Sequence, residues 1–199
     1  ITVVDTFGNP VTATSQDILV NLSGDGLSFY STPDCSGLPL NAGELTIVSP
    51  SNNAVFYYLP TKAGNIQLTV TTTGPPALEQ HSANQVVLPA PEAKLAFATP
   101  LRQIAAGTCS ADTNVVTVEL QDTLGNRAYN KSGAAYTLDF EIASGTMKVF
   151  SDNNCTNEIP VSNLKFTRTL AVDASHVNLY LKDTTAHLTP LSASIAVKP

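Results

Sequence analysis

The chain has 199 residues, 43 % of them hydrophobic and 13 % charged, enough for one large domain or two small ones with cores of their own, and this excludes intrinsic disorder. Its 16 Asp and Glu against 10 Lys and Arg, a formal charge of −6, exclude a nucleic-acid partner, because nothing here would displace the counterions of a phosphate backbone. No run of about 18 apolar residues is present to span a bilayer, and Ile1-Thr2-Val3-Val4-Asp5 shows no basic and apolar leader pattern, so any signal or anchor is expected outside these residues.

Short apolar or alternating runs bounded by Gly, Pro, Asn or Asp fall at 1–4, 18–22, 54–59, 66–71 and 85–88, and each predicts a strand. The second half continues in the same style at 94–99, 115–121, 136–142, 147–150, 164–167, 177–182 and 191–197. The nearest rival to a helix is 77–83, but Gly74-Pro75-Pro76 before it and Asn84 within reach of its end leave room for at most one turn. Many Thr, Ser, Asn and Val beside 13 Pro, 11 Gly, one Met and no Trp suit an extracellular β protein better than a cytosolic enzyme. The fold class is therefore all-β, a sandwich or a barrel. Leu88-Pro89-Ala90-Pro91-Glu92 reads as a hinge, since its prolines remove backbone donors and hold the chain extended, and it divides the sequence into domains 1–89 and 90–199.

The two halves repeat one another. Val4-Asp5-Thr6-Phe7-Gly8-Asn9 matches Gln121-Asp122-Thr123-Leu124-Gly125-Asn126 at an offset of 117. Phe29-Tyr30-Ser31-Thr32-Pro33-Asp34-Cys35 matches Val149-Phe150-Ser151-Asp152-Asn153-Asn154-Cys155 at 120, and Val55-Phe56-Tyr57-Tyr58-Leu59 matches Val177-Asn178-Leu179-Tyr180-Leu181 at 122. In the second copy about 24 residues, 94–117, precede the equivalent of Ile1 and have no counterpart in the first. The first copy in turn continues into the 85–88 strand, whereas the second stops at Pro199. The expectation is a window cut from a longer tandem array, the first module lacking its N-terminal strand and the second its last. The rival is that neighbouring subunits supply the missing edge strands, because an open edge offers a row of unpaired donors and acceptors.

The same repeat bears on the odd number of cysteines. If Cys109 pairs with Cys155, each complete module carries one disulfide, and Cys35, the equivalent of Cys155, has its partner upstream of Ile1 or outside the chain. Such a bridge closes a loop of about 47 residues and stabilises by roughly 3 to 4 kcal/mol. The alternative is three free buried thiols, against which stands the setting of Cys109 and Cys155 in turns rich in Ser, Asn, Asp and Thr.

In each D-x-x-G-N segment a strand runs into Asp, then Gly-Asn, which describes a turn: Gly8 and Gly125 take positive φ, and Asp5 and Asp122 cap neighbouring backbone donors, with Asn9 and Asn126 closing the turn. Of the histidines, His81 lies beside the hinge, while His176 and His187 flank one predicted strand, and none recurs in the other copy, so no nucleophile–base pair is expected. No Cys-x-x-Cys or His-x-x-x-His occurs, so no zinc and no other cofactor is expected. Asp152-Asn153-Asn154 could offer oxygens to calcium but lacks the spacing of a dedicated loop and reads more plainly as a hairpin tip. Asn21-Leu22-Ser23, Asn130-Lys131-Ser132 and Asn154-Cys155-Thr156 fit the glycosylation sequon. On the strand carrying Phe56, Tyr57 and Tyr58, one face is core, and the tyrosines left outside are candidate surface contacts for sugars or a neighbouring module.

Thr2-Val3-Val4-Asp5-Thr6-Phe7-Gly8-Asn9-Pro10-Val11 and its partner Val118-Glu119-Leu120-Gln121-Asp122-Thr123-Leu124-Gly125-Asn126-Arg127 resemble the V-x-D-x-x-G-N-P-V signature of bacterial immunoglobulin-like repeats, the tandem modules of invasin- and intimin-type surface proteins. Phe150-Ser151-Asp152-Asn153-Asn154-Cys155-Thr156 and Leu179-Tyr180-Leu181-Lys182-Asp183-Thr184-Thr185-Ala186 resemble a cysteine-containing variety of these repeats. Arg127 departs from the family's proline, and Leu59-Pro60-Thr61-Lys62 departs from the Lys-Asp-Thr-Thr form. The resemblance implies two tandem immunoglobulin-like β-sandwich modules in a bacterial extracellular or cell-surface protein, a stalk or adhesive fibre without catalytic residues. Its partners would be neighbouring repeats of the same or an identical chain, and a surface glycan or protein. A glycan- or protein-binding module, and an accessory domain of a secreted enzyme, are the competing expectations.

Overall fold

The computed structural model describes residues 1–12, 14–100, 104–142 and 145–185, together with the backbone of 195–197. The regular structure among them is strand, with two single 3-10 turns at Asn41–Gly43 and Asp112–Asn114 and no α-helix. The chain divides into two compact units, Ile1–Pro89 (unit 1) and Ala90–Pro199 (unit 2).

Unit 1 holds β1 (Ile18–Ser23), β2 (Leu27–Tyr30), β3 (Glu44–Ile47), β4 (Tyr57–Pro60), β5 (Gly64–Thr73) and β6 (His81–Val87). They form an antiparallel sheet in the order β3-β1-β5-β6 and a two-stranded pair, β2-β4. The alternation in β1 has a direct result: Ile18, Val20 and Leu22 share one face of the pleat and are buried with Phe29, Ile47 and Leu68, while Phe56 and Tyr58 pack against them. The 77–80 stretch is irregular, and β6 begins at His81.

Unit 2 holds β7 (Lys94–Phe97), β8 (Val116–Gln121), β9 (Tyr136–Glu141), β10 (Met147–Phe150), β11 (Glu158–Ile159), β12 (Lys165–Leu170), β13 (His176–Asp183) and β14 (Ile195–Val197). One antiparallel sheet runs β11-β10-β13-β8-β7 and a second runs β12-β9-β14. Val118, Leu120, Val149, Leu179 and Leu181 of the first sheet share one core with Leu138, Phe140, Phe166 and Leu170 of the second. The rings of Phe140 and Phe166 stack there at 4.8 Å.

Strand register places the two units in correspondence more sharply than the amino-acid matches do. Tyr30 lies opposite Tyr57 in unit 1, and Phe150 opposite Tyr180 in unit 2. Since Tyr30 and Phe150 are equivalent, the counterpart of Tyr57 is Tyr180 and that of Tyr58 is Leu181, an offset of 123 rather than 122. The bridge Thr2↔Asn53 and the pair Glu119↔His176 agree with it. A slip of one residue exchanges the two faces of a strand, and only the offset of 123 puts Phe56 and Tyr58 on the core as Leu179 and Leu181 are.

The predicted 1–4 strand is reduced to isolated bridges at Thr2 and Val4. Its equivalent, β8, lies between β13 and β7, whereas 1–4 is held on one side only, by Val3 N–H to Asn52 O (2.8 Å), Ala54 N–H to Ile1 O (3.1 Å) and the Ile1 amino group to Ala54 O (2.9 Å). Of the predicted 191–197 strand, 195–197 pairs with β9, and its earlier residues lie outside the described residues.

Candidate functional site: the docked linker and the cysteine loop

Both D-x-x-G-N segments fold into the same turn. Asp5 Oδ1 accepts the N–H groups of Phe7 and Asn9, each at 2.9 Å, and Asn9 Nδ2 donates to Asp5 Oδ2 at 3.2 Å. Asp122 Oδ1 accepts from Leu124 and Asn126 N–H, each at 2.9 Å, and Asn126 Nδ2 donates to Asp122 Oδ2 at 2.9 Å. Gly8 and Gly125 sit at φ +85° and +89°, where only glycine is unstrained. The tip of each turn carries an exposed apolar side chain, Phe7 in one and Leu124 in the other.

The two turns differ in burial. Asp5 is exposed, while Asp122 is fully buried, and its Oδ2 takes a further N–H, that of Ala90, at 3.1 Å. Burial pushes the Asp122 carboxyl up, but the bonds from Asn126, Ala90 and Leu124 outweigh it and hold the group below the usual carboxylate range. Ala90 belongs to the proline-rich segment read as a hinge. Ala93 N–H reaches Gln121 O at 2.8 Å, and Glu92 Oε1 accepts the Tyr136 hydroxyl at 2.9 Å and Lys131 N–H at 3.3 Å. The segment is thus tethered to unit 2 from Ala90 onward, and Leu88 and Pro89 alone lie between the end of β6 and the first tether. Replacing Tyr136 with Phe is expected to speed amide exchange at Ala90 and Ala93 by about threefold to tenfold, the worth of one hydrogen bond, with the core strands unchanged. Hydrogen exchange read by NMR measures this, and unchanged exchange at both amides would show that the Glu92 contact does not restrain the linker.

Cys109 and Cys155 are bridged, with their Cα atoms 5.9 Å apart, and Cys35 is a free, half-buried thiol. The loops carrying Cys35 and Cys155 are alike: each cysteine has positive φ, +51° and +53°, and donates its N–H to the residue three before it, Thr32 or Asp152. Both carboxylate oxygens of Asp152 are engaged by Thr156 and Asn157, chiefly by the Thr156 hydroxyl, which holds its pKa below the ordinary value. That engagement closes the hairpin tip. Around the bridge, Asp112 accepts the Tyr180 hydroxyl (3.0 Å) and Asn153 Nδ2 (2.9 Å), and burial followed by the Asp112 contact raises the Tyr180 pKa.

The remaining candidates fall elsewhere. Tyr58 packs on the core with its hydroxyl 3.3 Å from Gln85 Oε1, and Tyr57 is half-buried opposite Tyr30. His81 opens β6, at the end of that strand away from the linker; His176 opens β13; His187 lies outside the described residues. Ser175 Oγ contacts Nδ1 of its neighbour His176 at 3.1 Å, and Glu119 lies opposite His176 but is bound to Arg127 Nε (2.5 Å) and Gln121 Nε2 (3.0 Å). Glu119 thus ties β8 to the turn that follows it, an arrangement with no equivalent at Thr2 and Pro10. Asn130, in a glycosylation sequon by sequence, is fully buried, and its Nδ2 donates to Ala134 O and to carbonyls at Leu170 and Ala171, which removes it from modification. Ser132 N–H and hydroxyl bond Asn130 Oδ1, so Asn-x-Ser is here an Asx turn rather than a sugar acceptor. No group of three His, Cys, Asp or Glu gathers among the described residues, and no helix of theirs is long and apolar enough to cross a membrane.

Fold and site together define an all-β chain of antiparallel sheets carrying one disulfide and one buried-carboxylate turn at a tethered linker. No family model and no curated protein matches the chain. Among solved structures it is similar to the apo form of Bacteroides uniformis beta-glucuronidase 3, at a TM-score of 0.24 and 12 % identity, over 90 % of this chain and 21 % of that protein. A likeness so slight informs neither fold family nor function.

Proposed function

We propose that the chain is a segment of a non-enzymatic extracellular or cell-surface protein of bacterial type, in which tandem immunoglobulin-like β-sandwich modules form a stalk or adhesive fibre. The observation that carries this reading is the repetition of one strand plan: β3-β1-β5 and β2-β4 of unit 1 correspond in order and register to β12-β9-β14 and β10-β13 of unit 2. Repeated modules joined by short, tethered linkers transmit length and load, while a disulfide suits an oxidising compartment. Antibodies raised against the 199 residues are expected to label the outside of intact producing cells, with the signal removed by external protease. Label confined to the interior would overturn the proposal.

A further inference from the structure

The stretch from Ala90 to Pro100 is attached to unit 2 differently from the strands around it. None of its residues is buried, and Leu95, half-buried, is the one side chain it packs against the hydrophobic core. Beside it, β8 buries Thr117, Val118, Glu119 and Leu120. What holds the stretch is hydrogen bonding along the edge of the sheet. Ala90 N–H reaches Asp122 Oδ2, Glu92 accepts from Tyr136 and Lys131, and Ala93 N–H reaches Gln121 O. Strand β7 then pairs with β8 from Lys94↔Gln121 to Phe97↔Val118, Ala98 N–H reaches Thr117 O at 2.9 Å, and Thr99 Oγ1 accepts Thr117 N–H at 3.2 Å. Farther along the chain the attachment changes character. Ser110 is buried, its N–H donates to Leu181 O, its hydroxyl accepts Leu181 N–H, and its neighbour Cys109 is bonded to Cys155. Chain drawn off unit 2 from the linker side therefore meets a covalent stop at Cys109.

We infer that 90–99 is a strap that detaches from unit 2 as one piece while the rest of the unit stays folded, and that it yields first when tension reaches unit 2 through the linker. This deepens the stalk reading of the chain and, as regards load, rests on it. Apolar burial dominates the cost of opening, and a hydrogen bond at an exposed edge is exchanged for one to water, so a segment held by one half-buried leucine opens far more often than strands with buried faces. Tension arriving through Leu88 and Pro89 acts on Ala90 before any other residue of unit 2, and the bonds of Glu92, Ala93 and β7 follow in chain order. The residues 90–99, released at roughly 3.5 Å each, give about 35 Å of slack. The core beyond Cys109 keeps its fold, and the strap pairs again with β8 when the load falls.

Amide exchange on the intact 199-residue chain, read residue by residue by NMR, tests the strap. Ala90, Ala93 and Ala98 are expected to share one opening, at least about a hundredfold more frequent than that of the buried Leu120 and Leu181, whose N–H groups bond Ser175 O and Ser110 Oγ. Leu95→Ala should speed all three strap amides by about tenfold and leave Leu120 and Leu181 unmoved. Tyr136→Phe removes a hydrogen bond at Glu92 alone, yet it should speed Ala98, six residues farther on, by the same factor as Ala90 and Ala93. Three outcomes overturn the inference: a variant that speeds one end of the strap and not the other, a Leu95→Ala chain with unaltered strap exchange, and strap amides no faster than Leu120 and Leu181 in the natural chain. Surface labelling of cells is independent of these rates, so failure of the strap and failure of the surface-protein reading remain distinguishable.

Discussion

Replacing Asp122 with alanine is expected to lower the stability of unit 2 by about 3 kcal/mol, whereas the same change at Asp5 should leave the unfolding midpoint of unit 1 nearly unmoved. The two residues make the same turn, so the contrast isolates burial. At Asp122, which is 0 % exposed, the carboxylate accepts three backbone N–H groups, those of Leu124, Asn126 and Ala90, and the Asn126 side chain. Its removal takes the acceptor from the Leu124 and Ala90 N–H groups in a place water reaches poorly, and each orphaned group costs about 1 to 3 kcal/mol before relaxation. At Asp5 water takes the carboxylate's place. Urea unfolding followed by hydrogen exchange and mass spectrometry reads the units separately, which a two-unit chain requires. Equal losses at the two sites would show that the turn itself, not its buried tether to the linker, carries the energy.

The same carboxylate sets a pH dependence. Because its folded pKa lies below the unfolded value of about 3.9, its contribution is present in full above that value and is lost as pH falls through the folded pKa. Glu119 acts in the same sense: burial raises its pKa, and the Gln121 and Arg127 contacts lower it further than burial lifts it. Unit 2 should therefore lose stability on acidification below about pH 4. The gap between the natural chain and Asp122→Ala should narrow over that range.

Much of this was legible in the sequence. Alternation with period two located β1 and β5, because each sets Val, Leu or Ile at every second position toward a core. Strands β2, β3 and β11, of four, four and two residues, escaped that reading. The turn was legible because glycine at positive φ and an Asp cap are local requirements. Its burial was not, since what covers Asp122 is Ala90, some 32 residues away. Nor was the one-residue register of β4 against β13: Phe56-Tyr57-Tyr58 is aromatic at every position, so either parity can be matched, and only the pairing of Tyr30 with Tyr57 decides. The linker was read as a hinge from its prolines, yet Glu92, with Tyr136 44 residues away, turns most of it into a tether.

Removing the disulfide by Cys109→Ser with Cys155→Ser is expected to cost unit 2 about 4 kcal/mol, with unit 1 unaffected. The bridge spans 46 residues, so in the unfolded chain it closes a long loop and removes a large share of the conformations that unfolding would gain. In the folded unit little depends on it. Asp112 already links Tyr180 of β13 to Asn153 of the cysteine loop, Asp152 closes that loop through Thr156 and Asn157, and Ser110 pairs with Leu181. These contacts keep the two sulfur atoms adjacent after reduction, and the unit should remain folded but open at lower denaturant. Under tension the difference becomes a length. The oxidised unit cannot pay out the residues between its cysteines, so reduction should add about 150 Å to the contour released when unit 2 unfolds, from roughly 3.5 Å per residue. Single-molecule pulling with and without reductant measures that increment, and unit 1, whose Cys35 is free, provides the internal reference. An unchanged length would mean that the sulfur atoms are not joined under load. An increment of the expected size would establish the bridge as the element that limits how far unit 2 extends under load.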